Sequence, residues 1–278
     1  MGGSDSPPPP NREARGGNRE GGKFERMRQR AKYGVDAPRV VRAYIVFGVL
    51  LALPALIDLA WPGSSPIPAP WSIGAALFAA LLLAWAAVML RSSLVGKMRV
   101  RDRLVDALAL SGNERVLDAG CGLGLALIGC AKKLTTGKAV GIDLWAAHLS
   151  DNNPDAARAN AVAEGVADRV EVETGDITRL PFCDAAFDAV ISMTVIHNIP
   201  SQKARDQAVR EIIRVLKPGG RIAIFDLLHT ARYAEILRQA GLTVESLGCD
   251  LLWLLPCRSL LAQKSEAGDS QGVVTAPS

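Results

Sequence analysis

From Trp71 to Leu90 the chain runs for twenty residues without a charged side chain. A second apolar segment, Ala43 to Trp61, is interrupted only by Pro54 and Asp58. A helix of about 20 residues covers roughly 30 Å, the thickness of a bilayer's hydrocarbon core. In that medium every backbone N–H and C=O must be satisfied within the segment, so a helix is the open choice. The two runs are joined by Pro62–Pro70, rich in proline, glycine and serine. Together they predict a transmembrane helical hairpin. Asp58 would cost about 2.5–3.5 kcal/mol at the bilayer centre, but three residues before Trp61 it can reach the interface. Trp61 and Trp71 flank the loop as interfacial anchors.

The charges orient the hairpin. Arg39 and Arg42 precede the first run; Arg91, Lys97, Arg99, Arg101 and Arg103 follow the second; the loop has no Lys or Arg. Basic flanks stay on the cytoplasmic side, which predicts a two-span membrane protein with both termini and everything after the hairpin in the cytoplasm. The long polar leader argues against a cleavable signal peptide. The rival reading is a buried helical hairpin inside a soluble fold. Arg91–Met98 reads as a short linker, under about 30 Å even fully extended.

Residues 1–37 offer little to bury and carry four consecutive prolines at 7–10 with eight basic side chains. They read as a disordered basic tail. Without interleaved aromatics the tail gives no support to nucleic-acid binding. Net charge is +4, and five scattered cysteines form no CxxC pair or metal spacing. Reduced thiols and no metal site are expected. The small, polar stretch 265–278 also reads as disordered.

The remaining stretch, 98–264, alternates strand and helix signals. Strands are expected over 115–119, 138–143, 169–174, 187–193, 221–225, 243–247 and 258–264. Helices are expected over 98–111, 125–134, 154–164, 201–216 and 231–240, with Asn153-Pro154 as a start signal and Pro218-Gly219-Gly220 as a stop. This alternation predicts an α/β fold with a doubly wound, mainly parallel, Rossmann-like sheet.

The chemistry-bearing stretch is Val116-Leu117-Asp118-Ala119-Gly120-Cys121-Gly122-Leu123-Gly124. A buried strand enters a tight glycine loop that opens a helix, whose free N–H groups suit an anionic group. The next strand ends in Asp143, about the spacing at which a carboxylate receives a ribose. Strand four runs on into Ser192-Met193-Thr194-Val195-Ile196-His197-Asn198. Ligands bind beyond the carboxyl ends of such strands.

Taken together, this pattern resembles class I S-adenosylmethionine-dependent methyltransferases over about residues 98–264. The loop is G-x-G-x-G behind an acid, where dinucleotide binders use G-x-G-x-x-G. The resemblance implies S-adenosyl-L-methionine as cofactor. It would be held by Asp118, Gly120, Cys121, Gly122 and Gly124 at its amino-acid end. Asp143 and Leu144 would hold the ribose and adenine, Gly175, Asp176 and Ile177 the adenine, and Met193 would stand near the donor. Trp145 either stacks on adenine or belongs to the core. Phe187–Ile191 and Arg214–Gly220 match further family motifs. His197 is the candidate catalytic base, its alternative being a hydrogen bond that holds the loop.

The reading that follows is a membrane-anchored methyltransferase with a small, lipophilic, membrane-partitioned acceptor and no nucleic-acid partner. The alternatives are a tethered methyltransferase of a soluble metabolite, halide or metalloid, and a non-catalytic cofactor-binding scaffold. The acceptor atom and the oligomeric state are not readable from the sequence.

Overall fold

The computed structural model describes residues 31, 33–35, 37–64, 67–145, 152–252 and 255–266. Most of the two segments expected to be disordered, 1–37 and 265–278, lies outside these.

Helices α1 (Pro38–Ala60) and α2 (Ala69–Arg91) pair as the expected hairpin. Both are long and apolar enough to cross a membrane. The contact uses small side chains: a Cβ on Gly48 would meet Leu83 Cγ at 2.9 Å and the Ala79 carbonyl at 3.3 Å. Ser72, Ala79, Ala86 and Ser93, seven residues apart, are buried. No described part of the chain covers the outer faces: Phe47, Leu77 and Leu81 are 59%, 66% and 66% exposed.

The expected linker is helical. After α2 the chain makes a π-helical turn, Ser92–Gly96, and continues into α3 (Lys97–Ala107). Eight helical residues advance only about 12 Å. The wider i→i+5 turn rotates the second segment without breaking the helical run.

Among the described residues seven strands form one sheet, β1 (Arg115–Ala119), β2 (Lys138–Asp143), β3 (Val170–Thr174), β4 (Phe187–Met193), β5 (Leu216–Asp226), β6 (Thr243–Leu252) and β7 (Leu255–Gln263). Their order is β3-β2-β1-β4-β5-β7-β6, with β7 antiparallel to both neighbours and the other pairings parallel. Helices α4 (Leu125–Lys133), α5 (Pro154–Ala163), α6 (Gln202–Val215) and α7 (Thr230–Gln239) complete the domain.

Strand periodicity divides the core. Leu117, Val140, Val190, Ile222 and Ile224 join one apolar cluster with α6 and α7; Val116, Ala139, Ile191, Ala223 and Phe225 join another with α3 and α4. Both faces are covered, as a parallel sheet requires. Asn153 caps α5 as expected, its side chain accepting from Ala156 N at 2.8 Å.

Three strands, β5, β6 and β7, run beyond the expected bounds. Lys217-Pro218-Gly219-Gly220 is not a turn between helix and strand but a bulge within β5. Phe187 pairs with Leu216, yet Ala189 pairs with Arg221. Proline and glycine mark bulges as readily as turns. Strands β6 and β7 continue past the sheet as a two-stranded arm beyond the carboxyl edge, since Arg258 pairs with Asp226 at the end of β5. The arm exposes Leu251 (65%) and Leu255 (46%), and Asp250 on it is gripped by the Arg103 guanidinium. Its apolar run from residue 251 to 255 lacks the alternation that signals a strand.

Candidate active site

Strand order reverses between β1 and β4, the switch point where α/β sheets open a crevice. A cavity of about 1020 Å³ lies there. Of the expected site residues, Asp118, Gly120, Cys121, Gly122, Asp143, Leu144, Gly175, Asp176, Ile177 and Met193 line it. Gly124 stands behind the wall at the start of α4, and His197 is not part of the wall.

The glycine loop has a steric reason. Gly120 has φ +87°, and a Cβ there would lie 2.3 Å from Val195 Cγ1. Val195 follows Thr194, a β-branched residue held at φ +54°. Such a conformation is unfavourable and persists where the surroundings enforce it. Here Thr194 N–H donates to the Phe225 carbonyl at 2.7 Å.

Most of the loop's own N–H groups are already engaged. Gly120 and Cys121 donate to the Ile142 carbonyl at 2.8 and 3.1 Å, and Gly122 donates to Asp143 Oδ2 at 2.9 Å. These bonds lash the loop to β2. Gly124 provides no side-chain cap to α4. Among the described residues the N–H groups of Leu123, Leu125 and Ala126, all cavity residues, make no such bond and are available to a carboxylate.

Asp118 is 2% exposed and accepts from Leu127 N–H at 2.7 Å. Burial raises its pKa to about 7, with the Asp143 charge adding and the Leu127 bond opposing. Asp143 accepts from Gly122 and Trp145 N–H groups at 2.9 Å each, leaving each oxygen a further lone pair. Asp176 closes an Asx turn on Thr178 N–H at 2.8 Å. Trp145 does not line the cavity: its indole donates to Thr174 Oγ1 at 2.8 Å and its ring packs on the core, while Leu144 is on the wall. Burial holds the Cys121 thiol well above its ordinary pKa, so it is a packing residue rather than a nucleophile.

His197 sits on a 3-10 turn, Ile196–Asn198. Its N–H donates to Asp226 Oδ2 at 3.0 Å, and its Nδ1 meets Asp226 Oδ1. Asp226, at the end of β5, is 1% exposed.

Three wall residues carry no sequence signal of their own. Asn152 Oδ1 is buried without a partner among the described residues. Tyr33 and Gly34, from the stretch read as tail, also line the cavity, and Tyr33 is 9% exposed within the core.

Residues 117–224 match the protein family described as methyltransferase domain. That segment is a methyltransferase domain. The chain is similar to "Methyltransferase GfsG" of Streptomyces halstedii, 33% identical over 56% of this chain and 60% of the relative. It is also similar to "27-O-demethylrifamycin SV methyltransferase" of Amycolatopsis mediterranei, 36% identical over 47% of this chain and 44% of the relative. The chain thus spans about half the length of these relatives. The YcgJ protein of Bacillus subtilis shares the fold, with TM-score 0.51 and 15% identity over 60% of this chain and 99% of that one.

The glycine-loop resemblance implies S-adenosylmethionine, and the wall residues fit it. Asp118 suits an ammonium, the α4 N-terminus a carboxylate, and Asp143 a vicinal diol. Asn152 Oδ1 is an acceptor with an unmet hydrogen bond facing the same space.

Proposed function

We propose that the chain is a membrane-anchored S-adenosylmethionine-dependent methyltransferase acting on a small, lipophilic acceptor. Its cofactor, when bound, supplies an electrophilic methyl group on a sulfonium. Asp118, the first turn of α4, Asp143 and the Gly175–Ile177 segment hold the donor's two ends. The chain's main task is then alignment of acceptor and methyl group, which can supply roughly 7–11 kcal/mol.

One observation carries the membrane part. The wall that contains Asp118 and Asp143 also contains Pro38 and Arg39, the first turn of α1. The apolar hairpin therefore leaves the domain at the mouth of the cavity, and the arm bearing Leu251 and Leu255 projects from the same edge of the sheet. An anchor in this position holds the mouth against the bilayer and raises the effective concentration of acceptors dissolved there. Basic residues flanking the helices add about 1 kcal/mol each near anionic headgroups. His197, oriented by Asp226 and next in the chain to the wall residue Asn198, is the base for an acceptor that loses a proton.

The test reconstitutes the full chain in liposomes with methyl-labelled donor. One arm adds a lipid extract of the host membrane, the other its water-soluble metabolites. Label in the solvent-extractable fraction is expected. Label confined to the aqueous fraction would leave the hairpin as a tether alone, and no label in either arm would favour a cofactor-binding scaffold.

A further inference from the structure

The segment just before α1 crosses the glycine loop. Tyr33 is buried among Val100, Leu104 and Leu127, and its hydroxyl donates to Glu164 Oε1 at 3.3 Å. Gly34 has φ +70°, and a Cβ there would lie 3.4 Å from Leu123 Cδ1, in the loop between Gly122 and Gly124. A side chain at 34 would thus be strained by its backbone, with its Cβ in contact with Leu123.

What holds the segment down is Lys97, the first residue of α3. It is 7% exposed, and its Nζ donates to the Tyr33 and Gly34 carbonyls at 2.8 Å each. A buried ammonium is costly unless its hydrogen bonds are met, so the two carbonyls and the lysine each require the other. Four residues beyond Gly34 the chain becomes α1. The segment cannot lift from the loop without shifting the first helix of the hairpin.

We infer that Tyr33 and Gly34 are a wall of the methyl-donor site, closed over the glycine loop by Lys97, so that retention of the nucleotide depends on how the hairpin is seated on the domain. Lys97 acts as a positioning residue through the two carbonyls. The inference rests on the donor site proposed above. It adds that the nucleotide leaves by way of this strap, so opening the strap limits release of the demethylated donor.

The experiment uses the full chain in lipid nanodiscs and S-adenosylhomocysteine as probe, with its dissociation rate read by stopped flow. Lys97→Met removes the donors and keeps the apolar stem; release should be about tenfold faster or more, as for loss of hydrogen bonds to a charged group. Lys97→Arg, which can still donate to both carbonyls, should restore slow release. A merely structural lysine would lower the melting temperature without changing the release rate of the folded fraction. Gly34→Val acts from the other side and should also speed release; it decides the matter if Lys97→Met does not fold. Wild-type release rates in the variants that fold would overturn the strap while leaving the donor site intact. Failure of the wild-type chain to bind the probe would instead overturn the donor site, and the strap's role with it.

Discussion

His197 and Asp226 meet twice. The backbone N–H of His197 donates to one carboxylate oxygen at 3.0 Å, and the ring's Nδ1 meets the other. A third bond, from Leu227 N–H at 2.8 Å, fixes the carboxylate on its own strand. One buried acid therefore sets both the path of the loop after β4 and the orientation of the imidazole. A proton on Nδ1, shared with Asp226, leaves Nε2 as the basic nitrogen. General-base catalysis contributes about 10²–10⁴-fold. His197→Ala should lower kcat by about 10²-fold or more with donor affinity unchanged. Asp226→Asn should lower it as well, because the orienting charge is gone. Single-turnover methylation measured beside donor titration separates the roles. Normal turnover with reduced thermal stability would make the pair a latch for the loop.

Asp118 makes a pH prediction. Its carboxyl is raised to about 7, chiefly by burial, against about 3.9 in an unfolded chain. The folded state therefore holds more protons than the unfolded one between those values. The carboxyl costs no stability below about pH 4, and its penalty grows as pH rises to about 7. A donor ammonium beside it selects the ionised form. Donor affinity should rise between about pH 5.5 and 7.5, with uptake of donor releasing close to one proton at the acid end. Calorimetry in two buffers of different ionisation heat reads that proton directly. Asp118→Asn should abolish the release. A wild-type affinity independent of pH across this range would mean that the ammonium lies elsewhere.

Asp143 has a double duty. Its oxygens hold Gly122 and Trp145 N–H groups, so the acid that is to receive the ribose also shapes the loop beneath it. Asp143→Ala should weaken donor binding by about 1.5–3 kcal/mol. Thermal stability should fall as well, since two N–H groups lose their acceptor. Unchanged affinity in a titration would remove Asp143 from the ribose site.

Much of this was legible in the sequence for a local reason. The helix starts at Asn153 and Ser201 are written in neighbouring residues, and both side chains cap their helices. Gly120 was readable as a glycine the backbone needs, but not that Val195, 75 positions on, is what forbids a side chain there. The strap was illegible for the opposite reason. Tyr33 lies in a polar, basic stretch, and what buries it is α3, together with a lysine that looks like one more flanking charge. The Arg214 motif was readable as a pattern without a cause. In the structure its guanidinium donates to the Leu180 and Phe182 carbonyls, Asp184 and Glu211, fixing the loop between β3 and β4.

The remaining prediction concerns which side of a membrane the domain occupies. The helical run from α2 through the π-helical turn into α3 is continuous. Wherever the end of α2 lies, the domain begins within about 12 Å of it. The loop at the far end of the hairpin is basic-free, while arginines and Lys97 cluster at the near end, so the loop should cross and the domain should stay in the cytoplasm. Cys183 and Cys249 are exposed on the domain and serve as reporters of its side. A cysteine in place of exposed Ser64 reports the loop. In intact cells a membrane-impermeant maleimide should label Ser64→Cys and leave the wild-type chain unlabelled until the cells are opened. Labelling of the wild-type chain in intact cells would reverse the orientation. Protection of Ser64→Cys until lysis would mean that the hairpin does not cross, and the case for an acceptor drawn from the bilayer would then rest on the arm of β6 and β7 alone.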